Sequence, residues 1–133
     1  MSVAVAHQPS ATGRLALREA ARQASYRNTS LTVIHIADSV DLDLVDAHTA
    51  SLRDDVAAAL AEMSIGELDW DLALAPATGT ENTAATILDL ADKASAELLV
   101  IGARRRSPVG KLLLGSVTQT LILDADIPVL IVK

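Results

Sequence analysis

The chain has 133 residues, half of them apolar, with a formal net charge of −6, no Cys, no Phe, one Tyr (Tyr26) and one Trp (Trp70). Two such rings cannot build the stacking platform on which single strands and unpaired RNA bases are read, and a net acidic chain lacks the positive face needed for duplex DNA; without Cys there are no disulfides, thiolate nucleophiles or zinc-thiolate sites. A single domain spanning 1–133 is expected, able to bury roughly two-thirds of its unfolded surface in an aliphatic core. Met1 to His7 carries no secretory signature, and no apolar run approaches the roughly 20 residues that span a bilayer. A cytoplasmic protein with neither nucleic acid nor membrane as partner is therefore the expectation.

Val3-Ala4-Val5-Ala6 reads as a first buried strand that meets a loop at His7-Gln8-Pro9-Ser10. From about Ser10 to Tyr26 an Ala-rich segment places Arg14, Arg18 and Arg22 at i, i+4, i+8, a solvated stripe on one helix face. Leu31 to Ile36 is rich in β-branched residues and reads as a second strand. Acidic Asp38, Asp41, Asp43 and Asp46 follow, and Asp43 or Asp46 suits the first turn of a helix. Val45, Leu52, Val56, Leu60 and Met63 fall on one core-facing stripe of that helix, which is expected to stop at Gly66.

Asp69 to Leu74 begins by alternating, as a strand with one wetter face does. After the break at Thr78-Gly79-Thr80, Ala84, Ile87, Leu88, Ala91 and Ala94 mark a third helix, with Asp89 and Lys93 paired on its outside. Leu98-Leu99-Val100-Ile101 is apolar throughout, as a central parallel strand covered on both faces would be, and ends at Gly102. A last helix opens at Gly115-Ser116-Val117-Thr118-Gln119, where Ser116 and Gln119 have capping-box spacing. Pro128 introduces a fifth strand, Val129 to Val132.

Five strands alternating with four helices define an α/β fold with an open, doubly wound sheet. Ligands of such sheets bind beyond the carboxyl ends of the strands, where the winding reverses. The segment after the fourth strand is unusual in charge. Between Leu98 and Leu123 there is no carboxylate, yet Arg104, Arg105, Arg106 and Lys111 contribute +4; the rest of the chain carries −10, and Asp38 to Glu97 alone holds fourteen carboxylates against Arg53 and Lys93. With Gly115-Ser116 opening a helix, backbone N–H donors, a hydroxyl and the positive dipole end join that charge, so an anion site is a candidate beside a simple solvated basic loop. A P-loop fails here, because its frame places Arg105 at the first Gly and Leu112 at the hydroxyl position, and no G-x-G-x-x-G is present.

What remains is Gly102, then Gly115-Ser116 thirteen residues on, followed by Ile127-Pro128-Val129. In this the chain resembles the universal stress protein family, whose ATP-binding members carry G-x2-G-x9-G-[ST] after strand four and a final apolar-Pro-Val strand. The resemblance covers the whole chain in element order and implies a single parallel sheet ordered 3-2-1-4-5. It also implies a stress or signalling module that takes ATP or another adenine nucleotide, with magnesium, around Gly102, Arg104, Arg105, Gly115, Ser116, Val117 and Thr118, with Ile36 meeting the adenine through its backbone. Two departures stand out. Arg105 occupies the motif's second Gly, exchanging close backbone approach for a guanidinium fork. Ala6 and His7 stand where nucleotide-binding members have a ribose-contacting Asp turn. Arg105 either joins the phosphate or fills its pocket, and in the second case the protein is a nucleotide-free, dimeric interaction module.

Catalytic patterns are thin. His7, His35 and His48 show no close metal-ligand spacing and read as structural histidines, although His7, at a strand's carboxyl end, is positioned to touch a ligand. Asp38 is a candidate magnesium contact or an ordinary loop carboxylate. No Ser/His/Asp set has convincing spacing, so no enzyme is expected, and weak ATP hydrolysis is the remaining alternative. Val129 to Val132 would lie at a sheet edge guarded only by Lys133, which suggests a homodimer paired along this strand, as in family members.

Overall fold

The computed structural model describes residues 1–8, 10–37, 42–76, 80–103 and 115–133, with backbone alone for 42–46 and 80–82. Among these, strands and helices alternate: β1 (Ser2–Ala6), α1 (Ala11–Tyr26), β2 (Ser30–Ala37), α2 (Leu42–Glu62), β3 (Trp70–Pro76), α3 (Thr80–Lys93), β4 (Ala96–Gly102), α4 (Ser116–Asp124) and β5 (Val129–Val132). The strands form one sheet in the order β3-β2-β1-β4-β5, every neighbour parallel. Val5 of β1 sits opposite Val33 of β2 on one side and Val100 of β4 on the other. The winding reverses between β1 and β4, and that is where such sheets open a crevice.

Because side chains alternate across a strand, the sheet divides its apolar residues between two cores. Val3, Val5, Leu31, Val33, Leu98 and Val100 face α1 and α2, meeting Ala16, Ala20, Leu52, Val56 and Leu60. Ala4, Ile34, Leu99 and Ile101 face α3 and α4, meeting Ala84, Ile87, Ala91 and Leu121. The α1 contribution is mostly alanine: Ala16, Ala20, Ala21 and Ala24 are fully buried, so this helix lies close on the sheet. Its far side carries Arg14, Arg18 and Arg22 exposed, as their spacing predicts. Arg22 meets Glu19 at 2.6 Å and Arg18 meets Glu62 of α2 at 3.5 Å. Lys93 and Asp89 form the expected pair on α3 at 2.9 Å.

Helix ends differ from expectation in two places. The α2 helix stops before Gly66: Ser64 takes the left-handed conformation (φ 59°), and the Ile65 N–H donates to the Leu60 carbonyl at 3.0 Å, a Schellman closure. Asn28 and Ser95 (φ 58° and 52°) occupy equivalent positions after α1 and α3. The predicted capping box at α4 does not form, because Ser116 is already helical and Gly115 is the N-cap, with no side-chain cap hydrogen bond. By contrast Ser10 caps α1 as its position suggests, its Oγ accepting from the Gly13 N–H at 3.0 Å. The side chain of Val45 of the predicted α2 stripe and the Thr78-Gly79 break lie outside what is described; Leu52, Val56 and Leu60 are buried, with Met63 packed against them.

Candidate functional site

At the carboxyl end of the sheet, on its α3/α4 side, a cleft of about 40 Å³ opens where β1 and β4 part. Ala6 from β1, Gly102 from β4, and Val117 and Thr118 from the first turn of α4 all line it, so four residues selected from the sequence converge. Gln8, Gly13, Ile87, Ile101 and Leu121 complete its walls. These five were absent from the sequence-based site. Ile87, Ile101 and Leu121 carry only the signal of core residues, and Gln8 adjoins the Ala6-His7 turn. The space is that of a few waters, well short of the roughly 300–1,000 Å³ of small-molecule pockets.

The floor of the cleft is set by close packing. A Cβ on Gly13 would fall 1.8 Å from the Gln8 carbonyl oxygen, and one on Gly102 would fall 2.8 Å from Thr12 Cγ2 and 3.0 Å from the Thr12 carbonyl oxygen. Both glycines are therefore required where the first turn of α1 is pressed between the β1 loop and the end of β4. For Gly102 this contact is by itself a sufficient reason for glycine. Gly13 carries no motif and could have been suspected only from its place one turn after the N-cap.

Gly115 and Ser116 lie exposed at the start of α4. With Gly115 offering no side-chain cap, the positive end of this nine-residue helix faces outward from its first turn. Ile36 is half-buried and packs into the α3/α4-side core, on the same face as the cleft but outside its lining. Arg104, Arg105 and Asp38 lie outside the described residues.

His7 lies apart from the cleft, one residue beyond Ala6 and on the opposite face. Its N–H continues the β1–β2 ladder by donating to the Ile34 carbonyl at 2.8 Å. The ring is buried, edge-on to His35 with centroids 6.0 Å apart, and its Nδ1 has no hydrogen-bond partner among the described residues. His35, also buried, meets exposed His48 of α2 with Nε2 to Nε2 at 2.9 Å. Burial holds the His7 pKa down to about 4; the His35 and, more weakly, His48 rings push the same way, and Asp55 of α2 opposes them. Spacing in sequence gave no hint of this cluster, because its members are joined only by strand pairing and by the docking of α2.

The profile of the universal stress protein family matches residues 1–133. The chain belongs to this family. A universal stress protein of Mycolicibacterium smegmatis is 36% identical over 132 residues, covering 98% of this chain and 96% of that relative. Among solved structures, a universal stress protein from Archaeoglobus fulgidus superposes with a TM-score of 0.74 at 30% identity, covering 100% of this chain and 98% of that one. A universal stress protein from the same organism in complex with dAMP superposes with a TM-score of 0.72 at 25% identity, again covering 100% and 98%. The order β3-β2-β1-β4-β5 with four helices is the universal stress protein fold. Among the described residues no helix is long and apolar enough to cross a membrane, and no group of three or more His, Asp or Glu side chains is arranged to hold a metal ion.

Proposed function

We propose that this protein is a cytoplasmic stress-response module that takes an adenine nucleotide, ATP with magnesium in the first instance, at the carboxyl ends of β1 and β4. The observation that carries the reading is the convergence of Ala6, Gly102, Val117 and Thr118 on one cleft at the winding reversal, beside the amino terminus of α4. The dAMP held by an Archaeoglobus fulgidus relative supports an adenine nucleotide as the ligand class. In this reading the first-turn N–H groups of α4, with the Ser116 hydroxyl, receive phosphate. Arg104 and Arg105 add positive charge, Ile36 offers its backbone to adenine, and aliphatic walls take the place of aromatic ones.

Thermal melting tests it. ATP with magnesium at a hundred times its dissociation constant should stabilise the fold by about 2.7 kcal/mol and raise the melting temperature by several degrees, with dAMP as a second ligand. No shift with either at millimolar concentration overturns nucleotide binding. The narrow cleft favours the second reading that this result would leave: a nucleotide-free interaction module whose phosphate pocket is filled by Arg105.

In both readings the protein is a homodimer paired along β5, which is bonded to β4 alone and lies at the sheet edge. The preceding helix leaves Leu123 and Ile122 81% and 37% exposed, apolar surface that a second copy would cover. Light scattering at micromolar concentration should give about twice the 13.9 kDa of one chain, and the monomer mass would exclude the dimer.

A further inference from the structure

At the other end of the sheet from the cleft, beside the amino ends of β2 and β3, lies an open cavity of about 380 Å³, within the size range of small-molecule sites. Ala24, Ser25, Asn28, Thr29 and Ser30 form one wall, where α1 passes into β2. Ile65, Glu67, Leu68 and Asp69 form the other, between α2 and β3. Crossover helices run antiparallel to the strands they join, so α1 and α2 both bring their carboxyl ends, the negative ends of their dipoles, to this place. Neither helix has a basic side chain in its last turn.

The lining is rich in hydrogen-bond acceptors and poor in donors. The Thr29 hydroxyl donates to the Met1 carbonyl, and so, more weakly, does that of Ser30 at 3.4 Å; what these oxygens have left to offer a ligand is lone pairs. The backbone N–H groups of Asn28, Thr29, Ile65 and Leu68 are taken by the carbonyls of Ser25, Ala24, Leu60 and Ile65. Glu67 and Asp69 are exposed carboxylates, in no ion pair among the described residues. The arginines nearest in sequence to the first wall are engaged elsewhere, Arg27 by Glu97 at 3.9 Å and Arg22 by Glu19 at 2.6 Å. Buried Ala24 and half-buried Ile65 and Leu68 add an apolar floor. The acidic wall is held in place, because the Asp69 carbonyl accepts the Leu31 N–H of β2 at 2.9 Å.

An ammonium group is the complement of such a lining, being positive and a donor only. Two carboxylates call for more than one of them, and the apolar floor calls for methylenes between. A mineral cation would satisfy the carboxylates and leave most of the cavity to water. We propose that the cavity between the carboxyl ends of α1 and α2 binds a small aliphatic polyamine, with ammonium groups on Glu67 and Asp69 and methylenes over Ile65 and Leu68. This site is independent of nucleotide, since the cleft lies at the opposite end of the strands.

Spermidine is the probe. Added to the whole chain at about 0.15 M salt, where distant charges are screened, it should shift the amide NMR signals of residues 24–30 and 65–69 saturably and leave those of Ala6, Gly102, Val117 and Thr118 in place. No saturable shift at millimolar spermidine overturns the proposal. Magnesium at equal ionic strength should not reproduce the shifts; if it does, the site is one for mineral cations and the amine is excluded. Butylamine, with a single ammonium group, should bind several-fold more weakly, and equal affinity would overturn polyamine recognition. Glu67→Gln/Asp69→Asn alters two exposed side chains and should weaken spermidine about tenfold, a few-fold for each ion pair lost. Asp54→Asn/Asp89→Asn removes the same charge elsewhere on the surface and should leave the affinity unchanged. Equal weakening in the two variants would mean general attraction to an acidic chain and would overturn the site.

Discussion

Glycine is where single residues control the region around the cleft. Gly13 makes room for the Gln8 carbonyl, and the same turn is closed by the Ser10 N–H donating to that carbonyl at 2.9 Å and by the Ser10 hydroxyl accepting from Gly13. Gly13→Ala must push apart two backbone segments rather than a flexible side chain. It is expected to cost about 1–3 kcal/mol or more, measured as a lowered urea midpoint with an unchanged slope. If it proved neutral, the close approach of α1 to the β1 loop would be wrong. Gly102, in contrast, belongs to a family motif and also to a packing contact with Thr12, so its identity alone says little about phosphate. Residues that line the cleft were legible where the family resemblance pointed to them, as at Gly102, Val117 and Thr118, and illegible where only three-dimensional proximity brought them there, as at Gly13; the histidine cluster was illegible for the same reason.

At the scale of elements, hydrophobic period was a sound guide to type. The stripe Leu52, Val56, Leu60 and the run Leu98 to Ile101 are buried as their spacing requires. Ends were harder to read, since three helices close through left-handed Asn28, Ser64 and Ser95 with no glycine at the turn. Glycine is the usual signal because it alone takes that conformation without steric cost, so the sequence points to Gly66 as the stop after α2. The cost that Ser64 bears can be recovered. Ser64→Gly, at an exposed position, should stabilise the protein by about 1 kcal/mol, read as a higher melting temperature; a decrease would mean that the serine side chain has a role beyond the turn. The start of α4 shows the same limit, because S-x-x-Q spacing fits two registers and the backbone adopted the one with Gly115 outside the helix.

For the whole molecule, the sheet acts as a partition. Val56 belongs to the α1/α2 core and Leu121 to the α3/α4 core, both almost completely buried. With the sheet between them and no shared partners, Val56→Ala and Leu121→Ala should each destabilise, the leucine by about 2–5 kcal/mol. The double variant should equal their sum within about 0.5 kcal/mol. A coupling of several times that size in urea denaturation would show that the two cores deform together.

The linear sequence by itself determined the alternation of five strands and four helices, the aliphatic character of both cores and the segregation of charge, because burial pattern, period and composition are local properties of the chain. It also carried the family, through the spacing of Gly102 and Gly115-Ser116 and the Pro-Val strand. Only the tertiary structure decided which of the candidate residues meet. Winding β2 and β4 onto opposite sides of β1 brought Ala6, Gly102, Val117 and Thr118 to one cleft. Strand alternation turned His7 away from that cleft and toward His35, and the docking of α2 delivered His48. Proximity across a sheet depends on register and packing between elements far apart in the chain, and no local pattern encodes it.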